Sequence, residues 1–493
     1  MSRFVGVILT EKLLDKTTRA KTSVVGVLSC CMQGVNTKSG SIWIDVTELF
    51  DHFRFARHPT GVSRVVSNLA DALKADHGKI FNSVRLLFWD PVQCCPVTAE
   101  DSRLVPLSSF LPRLMALYSA AGLRRTAYSS RAMKALVTSL PRRWRYRIFP
   151  SDNGVTLFRL WTRGRGIQLS PVRFAAGDCL FVPGSFWLGR YAPHLAAQAN
   201  AVGVPVTVFV HDVLLLSHPN WLPRPHSEQF RRACDVFLPA CAAIICNSSY
   251  TRDELRRLVP GASHLPVYKC RLGDRSFGRT SQGIPDLVCE MLSRKYVLFV
   301  STITPRKNHK VLVEAWRRLW REFGPSTPYL LFVGGGAPDP VLSELLVAEK
   351  AEGGRIIRIS GIDDNGLEVL YEYAWMAAYP SLGEGYGIPV AEALSHGKIC
   401  LAAPTGGIRE IDENLIDFID PLDPESIAAK VKIYLRDEGR YLSREAEIKQ
   451  NYHSTDWSET ASVVCSILER TVVDAASGAS LTLGTRASAA EPR

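Results

Sequence analysis

Residues 380–397, PSLGEGYGIPVAEALSHG, decide how the rest of the chain is read. The apolar run 374–379 ends at Pro380 and reads as a short buried strand, while Pro389 stands where an incoming helix tolerates proline, at its first position. The order is strand, loop, helix. Gly383, Gly385 and Gly387 let the backbone approach a ligand with no Cβ in the way. The first amides of the helix lack intrahelical acceptors and carry partial positive charge, which suits a diphosphate. Glu384 precedes the helix and Glu392 falls in its first turn, so one carboxylate can stand near a reacting group and the other further along the ligand. Two carboxylates alone would repel a diphosphate, and the pattern therefore demands a nearby cation.

Residues 305–309, PRKNH, supply it. They follow the apolar run 296–300 and precede 311–323, where Leu312, Val313, Trp316, Leu319 and Trp320 recur at helical spacing. This too is a strand-to-helix loop. If the sheet is parallel, both loops open at the carboxyl ends of its strands, where doubly wound α/β sheets bind ligands. Arg306 can grip phosphate oxygens in a fork, and Lys307 is a compact point charge.

The pair formed by PRKN at 305–308 and EGYGIPVAEAL at 384–394 resembles the retaining glycosyltransferases of family four, which have the two-domain GT-B fold. Glu384 and Glu392 match that family's Glu-x7-Glu motif. SGIDDNGLEVLYEYAWMAAYPSLGEG at 360–385 and TGGIREI at 405–411 are similar to the segments flanking the motif. HDVLLLSHPNWLP from His211, CNSSYTRDEL from Cys246 and HPTGVSRVVSNLADAL from His58 resemble the mannosyltransferase-like branch. The likeness implies an α/β fold of two Rossmann-like doubly wound domains facing across a cleft. It implies that Lys307 and Arg306 hold the donor diphosphate, that Glu384 lies by the donor sugar and that Glu392 binds ribose hydroxyls. His211 would stand next to the sugar, making His211, Lys307 and Glu384 the catalytic set. Gly61 would approach donor phosphate and acceptor, and Gly385, Tyr386, Gly387 and Ile388 complete the donor-binding loop. Many members have an arginine shortly after the strand that precedes the lysine; here that stretch is Ser301, Thr302, Ile303, so fewer diphosphate contacts are expected, or contacts made by Arg306. GT-B enzymes generally need no metal or cofactor, and no Asp-x-Asp cluster suited to one is present.

Each residue also has a plainer reading. EGYG can be only a turn, Glu392 the solvated face of a helix, and a histidine at a strand end a hydrogen-bonded structural group. The run Gly334, Gly335, Gly336 lacks the spacing and helix-start context of a dinucleotide fingerprint. Asn247-Ser248-Ser249 reads as a loop with capping serines and not as a glycosylation site.

A chain of 493 residues exceeds what one core usually holds, and 46% hydrophobic content excludes wholesale disorder. The twelve cysteines show no C-x-x-C spacing and read as buried thiols of a reducing compartment. The net charge of +11 is concentrated: no acidic residue lies between Asp101 and Asp152, while ten arginines and lysines do. With Phe110, Leu111, Leu114 and Leu117 interleaved, residues 103–150 read as a basic helical insertion. An anionic membrane surface is favoured as its partner, at about 1 kcal/mol per basic residue near the surface, over a solvated hairpin; nucleic acid is the third choice, without a fold signature.

The expected layout is an N-terminal extension over 1–40, a first domain over 41–272, a linker over 273–294, a nucleotide-sugar domain with a return helix over 295–472, and a disordered tail over 473–493. No apolar run approaches a membrane span, so the chain is expected in the cytoplasm, peripheral on the inner membrane face. The expected reaction moves a hexose, mannose first, from GDP-mannose or a UDP-hexose to a hydroxyl of a saccharide or lipid-linked saccharide. An epimerase of the same fold and a non-catalytic sugar-binding module are the rival classes.

Overall fold

The computed structural model of the chain describes residues 40–52, 61–99, 106, 107, 110, 154–163, 166–221, 224–275 and 286–477. The extension 1–39, nearly all of the basic segment 103–150 and the end of the tail lie outside the described residues.

Short continuous apolar runs, buried on both faces, are what a parallel sheet covered by helices requires. Fourteen of the described segments are strands: β1 Ser41–Asp45, β2 Ser83–Asp90, β3 Cys95–Thr98, β4 Ser170–Pro171, β5 Cys179–Val182, β6 Val206–Val210, β7 Ala243–Cys246, β8 Val267–Lys269, β9 Tyr296–Val300, β10 Tyr329–Val333, β11 Ile356–Ile359, β12 Met376–Tyr379, β13 Ile399–Ala402 and β14 Ile416–Phe418. The first sheet has the order β4-β3-β2-β1-β5-β6-β7-β8. It is parallel except at its β2-β3-β4 edge. The second, β11-β10-β9-β12-β13-β14, is parallel throughout.

In the second sheet the strand order reverses between β9 and β12, where Met376 and Ala377 pair with Val297 and Leu298. Loops leaving two such strands diverge and open a crevice at the carboxyl ends, the switch point at which doubly wound sheets bind ligands. The PRKN and EGYG loops leave these two strands. In the first sheet the corresponding reversal lies between β1 and β5.

Helix His309–Phe323 buries Leu312, Val313, Trp316 and Leu319, the face its spacing predicts. Helix Trp457–Ala476 crosses back onto the first domain, packing on helix Val62–Ala75, and Glu469 accepts the amides of Lys79 (2.7 Å) and Ile80 (3.0 Å). It continues past residue 472, so the first residues assigned to a disordered tail are helical. The expected linker is corrected as well: within 273–294, helix Asp286–Leu292 buries Val288 and Met291 in the core. At the crossing point Trp457 covers Gly273 so closely that a Cβ there would sit 2.7 Å from the indole. Among the described residues, no helix is long and apolar enough to cross a membrane.

Candidate functional site

The loop after β9 forms a single tight turn, Pro305–Lys307, closed by Asn308 in the left-handed region (φ 59°). Asn308 Nδ2 donates to the carbonyls of Pro380 (3.2 Å) and Pro421 (2.6 Å), and the Leu382 amide donates to the Arg306 carbonyl (2.8 Å). The two switch-point loops are thus stitched together, which brings their charged side chains into contact. Arg306 Nη1 donates to the Gly383 carbonyl and to Glu384 Oε2, both at 2.7 Å, and Lys307 Nζ donates to Glu384 Oε1 at 2.5 Å.

Burial pushes the Glu384 carboxyl up, but the charges of Arg306 and Lys307 more than offset it and hold the group at about 2. Burial pulls the Lys307 ammonium down, against the opposing pull of Glu384. Beneath Glu384 the loop after β13 comes as close as a backbone can. Gly406 has φ +59°, a Cβ there would stand 1.8 Å from the Glu384 carbonyl, and the Gly407 amide donates to that same carbonyl (3.1 Å).

From the first domain, His211 follows β6. Its Nε2 lies 2.7 Å from the Pro183 carbonyl. A carbonyl can only accept, so Nε2 carries the proton and Nδ1 is left as an acceptor. Burial lowers the imidazole's pKa, keeping the ring neutral near pH 7. Asn247, after β7, donates Nδ2 to the His211 carbonyl (2.8 Å), while its buried Oδ1 has no hydrogen-bond partner. Ser248 caps helix Ser249–Leu258 by accepting the Thr251 amide (3.0 Å), the capping role expected of the serines in this stretch. Its hydroxyl also donates to the Gly385 carbonyl across the cleft (2.6 Å). Gly385 tolerates this approach because it lacks a Cβ, which would fall 2.1 Å from the His211 carbonyl.

Glu392 is the fifth residue of helix Ile388–Ser395, beyond the first turn expected for it. Its Oε1 pairs with Arg64 Nη1 of the first domain at 2.5 Å, and its Oε2 accepts from the Tyr371 hydroxyl at 3.0 Å. Arg64 Nε also lies 3.5 Å from Asp364. Burial raises the Glu392 pKa, against the opposing charge of Arg64. The carboxylate joins the two domains, and a ribose reaching it would have to use its remaining lone pairs or displace Arg64.

All ten residues singled out from the sequence, Gly61, His211, Arg306, Lys307, Glu384, Gly385, Tyr386, Gly387, Ile388 and Glu392, line one cleft of about 860 Å³ between the sheets. That volume falls within the ~300–1,000 Å³ usual for ligand sites. Sequence reading missed several other walls. Arg64 stands three residues after Gly61 in the same TGVSR segment. Gly334, Gly335 and Gly336, dismissed as a dinucleotide motif, do line the cleft. They serve close packing: the Ile303 amide donates to the Gly335 carbonyl (2.8 Å), and a Cβ on Gly334 would lie 2.2 Å from the Ser301 carbonyl.

Comparison with known proteins bears on the fold and on the second domain. Residues 291–453 match the family model described as glycosyl transferases group 1. The chain is 29% identical over 254 residues to O-antigen chain mannosyltransferase B of Escherichia coli, covering 50% of this chain and 64% of that protein. It is 25% identical over 312 residues to the serotype-specific mannosyltransferase WbdA of Escherichia coli, covering 59% and 37%. Among solved structures, sucrose-phosphate synthase from Thermosynechococcus elongatus superposes with a TM-score of 0.55 at 18% identity, over 88% of this chain and 100% of that one. Residues 291–453 are thus similar to the glycosyl transferases group 1 model, in a chain whose two facing sheets have the GT-B fold.

Proposed function

We propose that the chain transfers a hexose, with mannose the first choice, from a nucleotide-diphosphate sugar to a hydroxyl of a saccharide or lipid-linked saccharide in cell-surface polysaccharide synthesis, with retention at the anomeric carbon. The observation that carries this reading is the meeting of Arg306, Lys307 and Glu384 at the second domain's switch point, beside the amino end of helix Ile388–Ser395. A departing diphosphate gathers negative charge, and two fixed cations beside the positive end of a helix stabilise it where it develops.

Glu384 keeps the two cations aimed and close together when no donor is present. A bound diphosphate shares them with the carboxylate. His211, neutral and fixed by Pro183, offers Nδ1 to a sugar hydroxyl. Arg306 and Lys307 supply the positive charge that a metal provides in other transferases, which supports a metal-independent reaction without cofactor. The similarity to two proteins named as mannosyltransferases supports mannose; GDP-mannose is the donor proposed first, with a UDP-hexose second. A cytoplasmic site at the inner membrane face remains part of the proposal, since such an acceptor would be met there. An epimerase would convert the nucleotide sugar without an acceptor, and a binding module would leave it intact.

The test is incubation of purified protein with a panel of nucleotide sugars and membrane extract, identifying the nucleotide released and the anomeric configuration of the product. Acceptor-dependent release of GDP with a retained α-linkage is expected. Isomerised donor, or donor untouched across the panel, would remove the transferase reading.

A further inference from the structure

Outside the cleft, a charged contact joins the two domains. Glu410 ends the short turn Gly406–Glu410 after β13, and its carboxylate straddles the start of the first-domain helix Ser249–Leu258. Its Oε2 accepts the Ser249 amide and its Oε1 the Tyr250 amide, both at 2.8 Å, while Lys269 Nζ, at the end of β8, donates to Oε2 at 3.0 Å. The first amides of a helix have no intrahelical acceptor, and here the other domain supplies one. Burial pushes the Glu410 carboxyl up, but the two amides and Lys269 more than offset it, so the group is an anion at neutral pH. That charge is stabilised at this end of a helix. Glu410 is not among the described residues that line the cleft.

The contact is tied to the Glu384 loop through the backbone. In the turn that ends at Glu410, the Gly407 amide holds the Glu384 carbonyl (3.1 Å), and a Cβ on Gly407 would lie 2.3 Å from the Gly385 carbonyl. A shift of the Glu384 loop therefore carries the turn, and Glu410 with it.

The other polar ties between the domains differ in kind. The Arg64–Glu392 pair stands inside the cleft, where a ribose would compete for it. Where the chain crosses between the domains, the Asp274 carboxylate is fully buried and accepts from the Tyr452 hydroxyl (2.6 Å) and the Thr455 amide (3.1 Å), while the Asp274 amide donates to the Thr455 carbonyl (3.0 Å). Breaking those bonds would leave a buried charge unpaired, so this junction serves as a pivot. The side chains of Glu410 and Lys269 are 23% and 46% exposed, so water can replace their bonds as they part. Such a contact opens and re-forms at low cost. We propose that Glu410 is the latch of the closed state: it holds the first-domain helix while the cleft is shut, and its release from that helix sets the rate at which the cleft opens and nucleotide leaves. The nucleotide part rests on the transferase reading above; the closure part does not.

Small-angle scattering of the nucleotide-free full chain tests closure. Glu410→Gln keeps the side chain's shape and removes its charge, and should enlarge the radius of gyration. Lys269→Met, which removes only the solvent-side partner, should enlarge it less, and salt raised to about 0.5 M should move the wild type toward the variants. Stopped-flow release of a fluorescent GDP or UDP analogue tests the opening rate. Glu410→Gln should release it about tenfold faster, the scale of one carboxylate at a partly buried helix start, and Lys269→Met by a smaller factor. Loss of a merely local helix cap would lower the melting temperature and leave both radius and release rate where they are. An unchanged radius in Glu410→Gln, or release at the wild-type rate, would overturn the latch. Failure of the wild type to bind either analogue would instead count against the transferase reading, and the radius would then decide the latch by itself.

Discussion

Replacing Glu384 by Gln keeps the side chain's shape and removes the charge that Arg306 and Lys307 both grip. The carboxyl is held at about 2 against an ordinary 4.5, a gap worth ~3 kcal/mol. Breaking a buried pair by removing one partner typically costs about 3–5 kcal/mol, so two independent routes give the same size. Glu384→Gln should therefore unfold at a midpoint ~6–12 °C below wild type near pH 7, at about 2–4 °C per kcal/mol for a domain of this size. The sign follows from the depressed pKa. The stabilisation is present above about 4.5 and is lost as pH falls toward about 2, so the gap between the two proteins should narrow in that window. A nucleoside diphosphate supplies the missing negative charge, and GDP or UDP should raise the variant's midpoint more than the wild type's. Scanning calorimetry at pH 7 and at about pH 3.5, with and without nucleotide, reads all three effects. Coincident midpoints at pH 7, or a gap that stays constant down to pH 3.5, would refute the argument that the two cations hold Glu384 ionised.

Arg64→Ala leaves Glu392 buried without its cation and cuts one of the links between the domains; a loss of ~3 kcal/mol in calorimetry and a larger radius in small-angle scattering are expected, and an unchanged radius would argue against a closing role. Gly385→Ala places a Cβ within 2.1 Å of the His211 carbonyl; it should hold the cleft open and depress turnover, whereas full activity would mean that the close approach is dispensable. His211 has a pKa below its ordinary 6.5 because it is buried. Its protonation should reduce turnover only at pH below about 6.5, and a pH–rate profile with a limb above pH 7 that His211→Ala abolishes would contradict this.

The fold was legible because its deciding signals are local. The apolar run before Pro380, the proline at the helix start and the glycines between them fix strand, loop and helix within eighteen residues, and PRKN repeats the logic after β9. Arg64 was not legible in the same way. Its partner Glu392 lies 328 positions away, and nothing in TGVSR says which carboxylate the arginine meets. Gly334 and Gly336 were set aside because they fail a motif, when what they serve is close backbone packing beneath the cleft. The helix Asp286–Leu292 was hidden in a stretch whose Gly, Ser and Arg content suggested a linker; two apolar residues, Val288 and Met291, suffice to dock one short helix once a neighbouring core exists.

The most direct measurement compares wild type with Lys307→Ala for release of nucleotide from the sugar donor that the wild type consumes, with acceptor extract present. Lys307 should be worth ~10²–10³ in turnover, the usual cost of losing one contact to developing charge. Near-normal turnover in Lys307→Ala, or a donor panel that the wild type leaves untouched, would contradict the placement of glycosyl transfer in this cleft.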